Sequence, residues 1–214
     1  FPVIVTYYEL LFRIATVGGV FKVSTIYMLL FSIAYGGIGY LLSSIFRNRK
    51  TNRIIAAVLV GLTCVPYIVE YLIYRFFKTF YDIGMVTGTA GDAATTYTSE
   101  IFQLILTSIP VLILFFLPLA LYLIFGQKIV PAYRSKAAVR IISSATSVIS
   151  YVLALLLITA SSIYAPMYKA EYNFRSSVEN FGLVTGLRLD AKYLITGRDN
   201  SFNIEDPSTM ENNP

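Results

Sequence analysis

Acidic and basic side chains occur inside two strongly apolar stretches of this sequence. In YYELLFRIATVGG, Glu9 and Arg13 are one helical turn apart. In YIVEYLIYRFFKTFYD, Glu70, Arg75 and Lys78 stand among four tyrosines. Charges at membrane depth are costly unless they are paired, hydrated or bound to a ligand. These five side chains are therefore candidates for binding the phosphate headgroup of a membrane lipid.

Each group also has a simpler interpretation, which the sequence leaves open. Glu9 precedes Arg13 by four residues, the order that favours a local ion pair on a helix. The second group fits an aromatic belt at a membrane interface, with Arg75 and Lys78 reaching the headgroups. That interpretation accounts less well for Glu70, an acid about one turn further in.

The chain lacks the residues on which many catalytic and metal sites depend. It has no histidine and one cysteine, Cys64. A Ser-His-Asp triad, the usual zinc sites and an internal disulfide are thereby excluded. The net charge of +5 comes from basic residues that lie between apolar segments. We therefore expect no nucleic acid partner, and neither a catalytic nor a metal-binding residue in this chain.

Long apolar runs predict an all-α, polytopic membrane helix bundle. The composition is 56% hydrophobic and 14% charged, and a membrane-spanning helix needs about 20 mostly apolar residues. Four such runs cover Ser24 to Phe46, Ile54 to Tyr74, Ile101 to Phe125, and Val139 to Ser161. A fifth candidate, Phe1 to Val17, is short and carries charges; we expect a trimmed first span rather than a signal peptide, because no basic leader precedes it. Residues 1–162 are thus predicted to form about five transmembrane helices.

The distribution of lysine and arginine predicts the orientation. The connections RNRKTNR and GQKIVPAYRSKAAVR hold four basic residues each and no acid, so both should be cytoplasmic. With five spans the N-terminus is then cytoplasmic, and the chain after Ser161 lies outside the cell membrane. The connection of residues 80–100, rich in Gly and Thr, is predicted to be a mobile or interfacial loop on that outer side.

Small residues recur within two of the predicted spans. The second contains Ser32, Gly36, Gly37, Gly39 and Ser43, and the fifth contains Ser143, Thr146, Ser147, Ser150 and Ala154. Small side chains four residues apart allow helices to approach closely. We therefore expect these residues to form packing faces rather than a pore lining.

An amphipathic segment follows the last apolar run. The stretch VENFGLVTGLRLDAKYLITG, residues 178–197, has Leu187 and Leu194 on one side and the basic pair Arg188 and Lys192 on another. It predicts a helix within an extracytoplasmic juxtamembrane linker of residues 163–197. The last residues, 198–214, are polar and are predicted to be a disordered tail.

The order of these features resembles the membrane portion of lipoteichoic acid synthase-like proteins, membrane phosphotransferases with a sulfatase-like or alkaline-phosphatase-like domain. The most specific matching segments are ELLFR near the start and FGLVTGLRLD near the end. The resemblance implies five helices, a juxtamembrane helix and a large external catalytic domain with a Thr nucleophile and a divalent metal, commonly manganese. It implies transfer of phosphoglycerol or a related group from a membrane phospholipid to an acceptor outside the cell. The juxtamembrane helix, with Leu187, Arg188, Lys192 and Leu194, would couple the bundle to that domain.

The catalytic domain of that family would lie beyond Pro214, so no catalytic or metal residue is carried over to this chain. Thr209, in the polar tail, is not expected to be the nucleophile. The chain alone is expected to be inactive, and its partners would be membrane phospholipid, its own catalytic domain and possible envelope-assembly proteins. Two other functions remain open, namely a small transporter or channel subunit and a non-catalytic assembly module.

Overall fold

The computed structural model of the chain describes residues 1–46, 48–129, 137–169 and 173–197. Every regular element in these residues is an α-helix, which confirms the predicted all-α class. The helices are α1 (Pro2–Ala15), α2 (Val23–Ser43), α3 (Arg49–Phe77), α4 (Ile83–Thr96), α5 (Thr98–Ile129), α6 (Ala137–Thr159), α7 (Tyr164–Lys169), α8 (Phe174–Phe181) and α9 (Leu183–Thr196).

Four of these helices are long and apolar enough to cross a membrane. They are α2, α3, α5 and α6, and they coincide with the four long apolar runs of the sequence to within a few residues at most ends. The chain is therefore a membrane protein. The predicted first span is the shorter helix α1, whose 14 residues extend about 21 Å against a hydrocarbon core of about 30 Å. A fifth crossing by this segment remains a prediction.

α1 and α2 pack against each other in antiparallel directions. Near the start of α1, Pro2 lies so close to Gly36 that a Cβ on this glycine would be 2.3 Å from the Pro2 Cα. Near the end of α1, the Arg13 Nη2 donates a hydrogen bond of 2.8 Å to the Ser24 Oγ at the start of α2. Contacts at both ends fix the position of α1 on the bundle.

α2 also packs closely on α6 through the small residues that the sequence marked. A Cβ added to Gly37 would lie 1.6 Å from the Ser147 Oγ. The missing side chain at position 37 therefore lets the two helices approach. This contact confirms the predicted packing face.

α1 and α3 are both joined to α5 by hydrogen bonds to its backbone carbonyl groups. Pro118 has no N–H, so the Leu114 carbonyl lacks its helical partner; the Tyr7 hydroxyl of α1 donates a bond of 3.0 Å to that oxygen. The Cys64 thiol of α3 donates to the Phe115 carbonyl at 3.3 Å. Neighbouring helices thus satisfy polar groups that could not find water inside a bilayer.

Basic residues beside the α2–α3 and α5–α6 connections donate hydrogen bonds to backbone carbonyl groups near the ends of helices. Arg53 donates to the Leu123 carbonyl at 2.6 Å, and Arg140 donates to the Ser44 carbonyl. Such contacts stabilise a helix C-terminus. Three other bases of these connections, Arg47, Arg134 and Lys136, lie outside the described residues, and so does the predicted tail of residues 198–214 with Thr209.

The connection of residues 80–100 differs from the predicted loop, because most of it forms α4. Its glycines and threonines are poor helix formers, but the helix start is well capped. The Asp82 Oδ1 accepts from the Met85 N–H at 2.8 Å, and the Asp190 Oδ2 accepts from the Ile83 N–H at 2.7 Å. Asp190 belongs to α9, so a tertiary contact that the local sequence does not show holds this helix.

Candidate functional site

The segment of residues 178–197, predicted as one amphipathic helix, consists of the end of α8 and the whole of α9. The two helices meet at Gly182, which has φ +91° and ψ 163°. An L-residue with a side chain rarely adopts this conformation. The helix prediction is therefore corrected at this glycine, where the chain turns and α9 begins.

The side chain of Glu9 in α1 binds the N-terminus of α9. One carboxylate oxygen accepts from the Leu183 N–H and the other from the Val184 N–H, each at 3.0 Å. The first N–H groups of a helix have no partner within the helix, and the positive end of its dipole attracts an anion. Since Glu9 is only 3% exposed, it satisfies these donors in a site closed to water.

Gly182 leaves the space that the Glu9 carboxylate occupies. A Cβ at this position would lie 2.7 Å from the Glu9 Oε2 and 2.8 Å from its Cδ. The same glycine thus provides both the backbone turn and the close approach of the acid. ELLFR and FGLVTGLRLD, the two most specific segments of the family resemblance, are therefore in direct contact.

The α8–α9 pair is inserted among the long helices rather than laid on their surface. Leu183 is 0% exposed and belongs to a buried cluster with Tyr8, Tyr67 and Phe115. On the other side of Gly182, Phe181 belongs to a second buried cluster with residues of α2 and α6. Aromatic rings from several helices thus enclose the turn between α8 and α9.

Glu70 supports the turn that leads into α4. This residue of α3 is buried, and its Oε2 accepts from the Tyr81 N–H at 3.4 Å. Asp82 and Asp190 cap the start of α4 just beyond it. In this position Glu70 shapes the backbone connecting α3 to α4, a role that accounts for a buried acid near the end of a span.

Arg75 and Lys78, the two basic residues predicted to bind a lipid headgroup together with Glu70, do not share its contacts. The Arg75 Nη1 donates to the Tyr71 hydroxyl at 3.2 Å. Lys78 is exposed and ends α3 in the left-handed conformation, with φ 57°. The structure does not join these bases to Glu70 by a hydrogen bond, and binding of a lipid headgroup by any of the three remains a prediction.

Arg13 and Glu9 also use separate partners. The Arg13 guanidinium donates to the Ser24 Oγ and, from its Nε at 3.3 Å, to the Gly19 carbonyl. The simple helical ion pair is therefore replaced by contacts with two different parts of the chain. Both side chains are buried, and lipid binding by either also remains a prediction.

The four residues named as a coupling surface on α9 point to different environments. Leu187 packs against the buried cluster of Tyr8 and Tyr67, whereas Leu194 is 54% exposed. Arg188 is turned to the bundle, where its Nη2 donates to the Tyr168 hydroxyl. Lys192 is exposed, with its Nζ 5.1 Å from the centroid of the neighbouring Tyr193 ring. The predicted basic pair is thus divided between the protein interior and the surface.

Two residues of this site were missed by the sequence analysis, Gly182 as the capping turn and Asp190 as the cap of α4. A usable signal was present in both cases. A glycine between two large apolar residues favours a helix end, and a lone acid within an apolar helix calls for a buried donor.

The side chains of this site hold and orient helices. No cluster of three or more His, Cys, Asp or Glu side chains suited to a metal ion occurs among the described residues. Comparisons of the chain with known protein families, with curated proteins and with solved structures find no match.

Proposed function

We propose that this chain is the membrane domain of a cell-envelope phosphotransferase. It would anchor and position an extracellular sulfatase-like catalytic domain that follows Pro214. That domain, with its own divalent metal, would transfer phosphoglycerol or a related group from a membrane phospholipid to an acceptor. The chain described here would contribute the membrane attachment and the geometry of the exit, without catalysing the reaction.

The observation that best supports the proposal is the capping of α9 by Glu9. α9 is the last described helix before the chain continues, and a flexible tether would need no buried acid at its start. Capping by Glu9, burial of Leu183 and the bond from Arg188 to Tyr168 instead fix α9 at three points. A segment held in this way would set the distance and direction of a following domain relative to the membrane.

The test uses the longer protein that this proposal predicts, reconstituted in vesicles that contain phosphatidylglycerol. We expect Glu9→Ala to lower transfer of phosphoglycerol to an acceptor, because α9 loses its anchor. Hydrolysis of a soluble phosphodiester by the same protein should be unchanged, since the reacting groups lie in another domain. Half-buried Glu179, which pairs with exposed Arg175 and does not contact the start of α9 by a hydrogen bond, offers the control Glu179→Gln, which should leave both activities intact.

Two results would overturn the proposal. One is a following sequence without a domain of this type. The other is an intact protein that transfers no phosphoglycerol from the lipid. If transfer occurs but is insensitive to Glu9→Ala, α9 is only a tether and the positioning role is removed.

A further inference from the structure

A groove of about 410 Å³ runs between α2 and α6 beside their close contact. Its α2 wall includes Tyr35, Ile38 and Leu41, and its α6 wall includes Val148. Ile38 is 49% exposed and Val148 is 61% exposed. Both helices are membrane spans by length and composition, so this groove opens sideways to the lipid rather than to water.

Arg188 of α9 closes one end of the groove. Its Cζ lies 5.6 Å from the centroid of the Tyr168 ring and 5.9 Å from that of Tyr151. The Tyr168 ring in turn stacks on Phe31, at a centroid distance of 6.1 Å. Phe31 lies one turn before Tyr35 on α2, so the contacts with Tyr168 place Arg188 at the Tyr35 end of the groove. Leu41, at the other end, lies about 9 Å from Tyr35 along the axis of α2.

Among the described residues, no acid forms an ion pair with Arg188. Its contacts are a hydroxyl group and the faces of aromatic rings, and within the described chain no carboxylate oxygen lies within 4.0 Å of it. Its Nε is buried and has no hydrogen-bond partner among the described residues. Burial raises the pKa of the Tyr168 phenol, so this group stays neutral and supplies no negative charge.

We propose that this groove binds an anionic phospholipid, with the phosphate on Arg188 and an acyl chain between α2 and α6. A guanidinium offers a planar set of donors that matches phosphate oxygens. The cation at one end of the groove matches the phosphate headgroup of a lipid, and the apolar walls along its remaining length match an acyl chain. The site concerns the bundle itself, so it is independent of any activity of a following domain.

The absence of tryptophan from the sequence allows a direct test with the purified chain in bilayers. Ile38→Trp places a single tryptophan in the groove, and its fluorescence can be excited separately from that of the tyrosines. Lipids with brominated acyl chains quench tryptophan on contact, so brominated phosphatidylglycerol can be compared with brominated phosphatidylcholine. Both lipids carry a phosphate, but phosphatidylcholine also carries a choline cation, which the Arg188 guanidinium repels. We expect phosphatidylglycerol to be preferred in the groove by about tenfold, because only its headgroup has a net negative charge to pair with Arg188.

A second reporter separates this groove from the general lipid surface. Ile113→Trp lies on α5, where the parent side chain is 61% exposed, and it should be quenched equally by the two lipids. Equal quenching of Ile38→Trp by the two lipids would overturn the proposal, because this variant keeps every charged residue of the chain. So would protection of Ile38→Trp from both lipids, because a second protein copy would then fill the groove.

The role of Arg188 is tested in the Ile38→Trp protein. Arg188→Gln should reduce the preference to near one, Arg188→Lys should retain part of it, and Lys192→Gln on the exposed side of α9 should leave it unchanged. A preference that survives Arg188→Gln would overturn the assignment. If Arg188→Gln does not fold, Arg188→Lys provides the test. Lysine keeps the charge but lacks the planar donors of the guanidinium, so the preference for phosphatidylglycerol must weaken, and an unchanged preference would overturn the assignment.

Discussion

At the scale of single residues, Glu9 and Gly182 depend on each other. The carboxylate of Glu9 accepts two backbone N–H groups just after Gly182, and the absent side chain of that glycine leaves room for it. A buried acid would otherwise be costly. The contact therefore explains a charged residue in the first apolar segment without requiring a ligand.

Replacement of Gly182 should destabilise the protein more than replacement of a comparable glycine. Gly182→Ala adds a Cβ 2.7 Å from the Glu9 Oε2, whereas Gly197, with φ +79°, has no atom within 4 Å of such a Cβ. Backbone strain of about 1–3 kcal/mol is common to both changes, and only Gly182→Ala adds the clash. Thermal unfolding can be followed by the reaction of buried Cys64, which is 1% exposed, with a thiol dye. Equal midpoints for Gly182→Ala and Gly197→Ala would contradict this account.

Removal of the Glu9 carboxylate should release the start of α9. Glu9→Ala leaves the Leu183 and Val184 N–H donors without a partner, which costs about 1–3 kcal/mol for a buried donor such as that of Leu183. Glu9→Gln keeps one acceptor oxygen and should have a smaller effect. Hydrogen exchange at the Leu183 and Val184 amides measures the release. Exchange should increase in the order wild type, Glu9→Gln, Glu9→Ala. Unchanged exchange in Glu9→Ala would show that packing alone holds the helix.

At the scale of the elements, the sequence predicts whatever depends on length and local pattern. The four apolar spans were identified because each must cover the bilayer, and the contact of Gly37 with Ser147 followed from small residues at helical spacing. The break at Gly182 and the helix α4 depend on acids that are distant in the chain, Glu9 and Asp190. Local patterns do not contain such contacts, so neither acid was assigned to the helix start that it caps.

The side chains of α9 show the same limit and suggest a matched pair of substitutions. Leu187 and Leu194 lie on one side of an ideal helix, yet Leu187 packs in a buried cluster while Leu194 is 54% exposed. Leu187→Ala should destabilise the docked helix by about 2 kcal/mol, and Leu194→Ala should remain within about 0.5 kcal/mol. Alanine preserves the helix propensity in both variants. Unfolding midpoints from the Cys64 assay distinguish them, and similar losses would mean that α9 lies on the membrane instead.

At the scale of the whole molecule, α9 connects parts of the chain that are far apart in sequence. Glu9 of α1 holds its start, Asp190 in its middle caps α4, and Arg188 contacts Tyr168 of α7. α9 therefore cannot leave its position without disturbing three other helices. A movement of α9 caused by a partner or a lipid would reach both the first helix and the α3–α4 turn.

The orientation of the whole bundle is predicted from its basic connections and can be tested with single cysteines. Ile45 and Ser162 are exposed and lie beyond the ends of α2 and α6. Three candidate spans, α3, α5 and α6, separate them, and an odd number of crossings puts them on opposite sides. In a Cys64→Ala background, an impermeant maleimide applied to intact cells should label Ser162→Cys and not Ile45→Cys, because lysine and arginine accumulate on the cytoplasmic side. Permeabilised cells should show labelling of both positions. The reverse pattern in intact cells would invert the orientation, and labelling of both there would mean that one of the three helices does not cross the membrane.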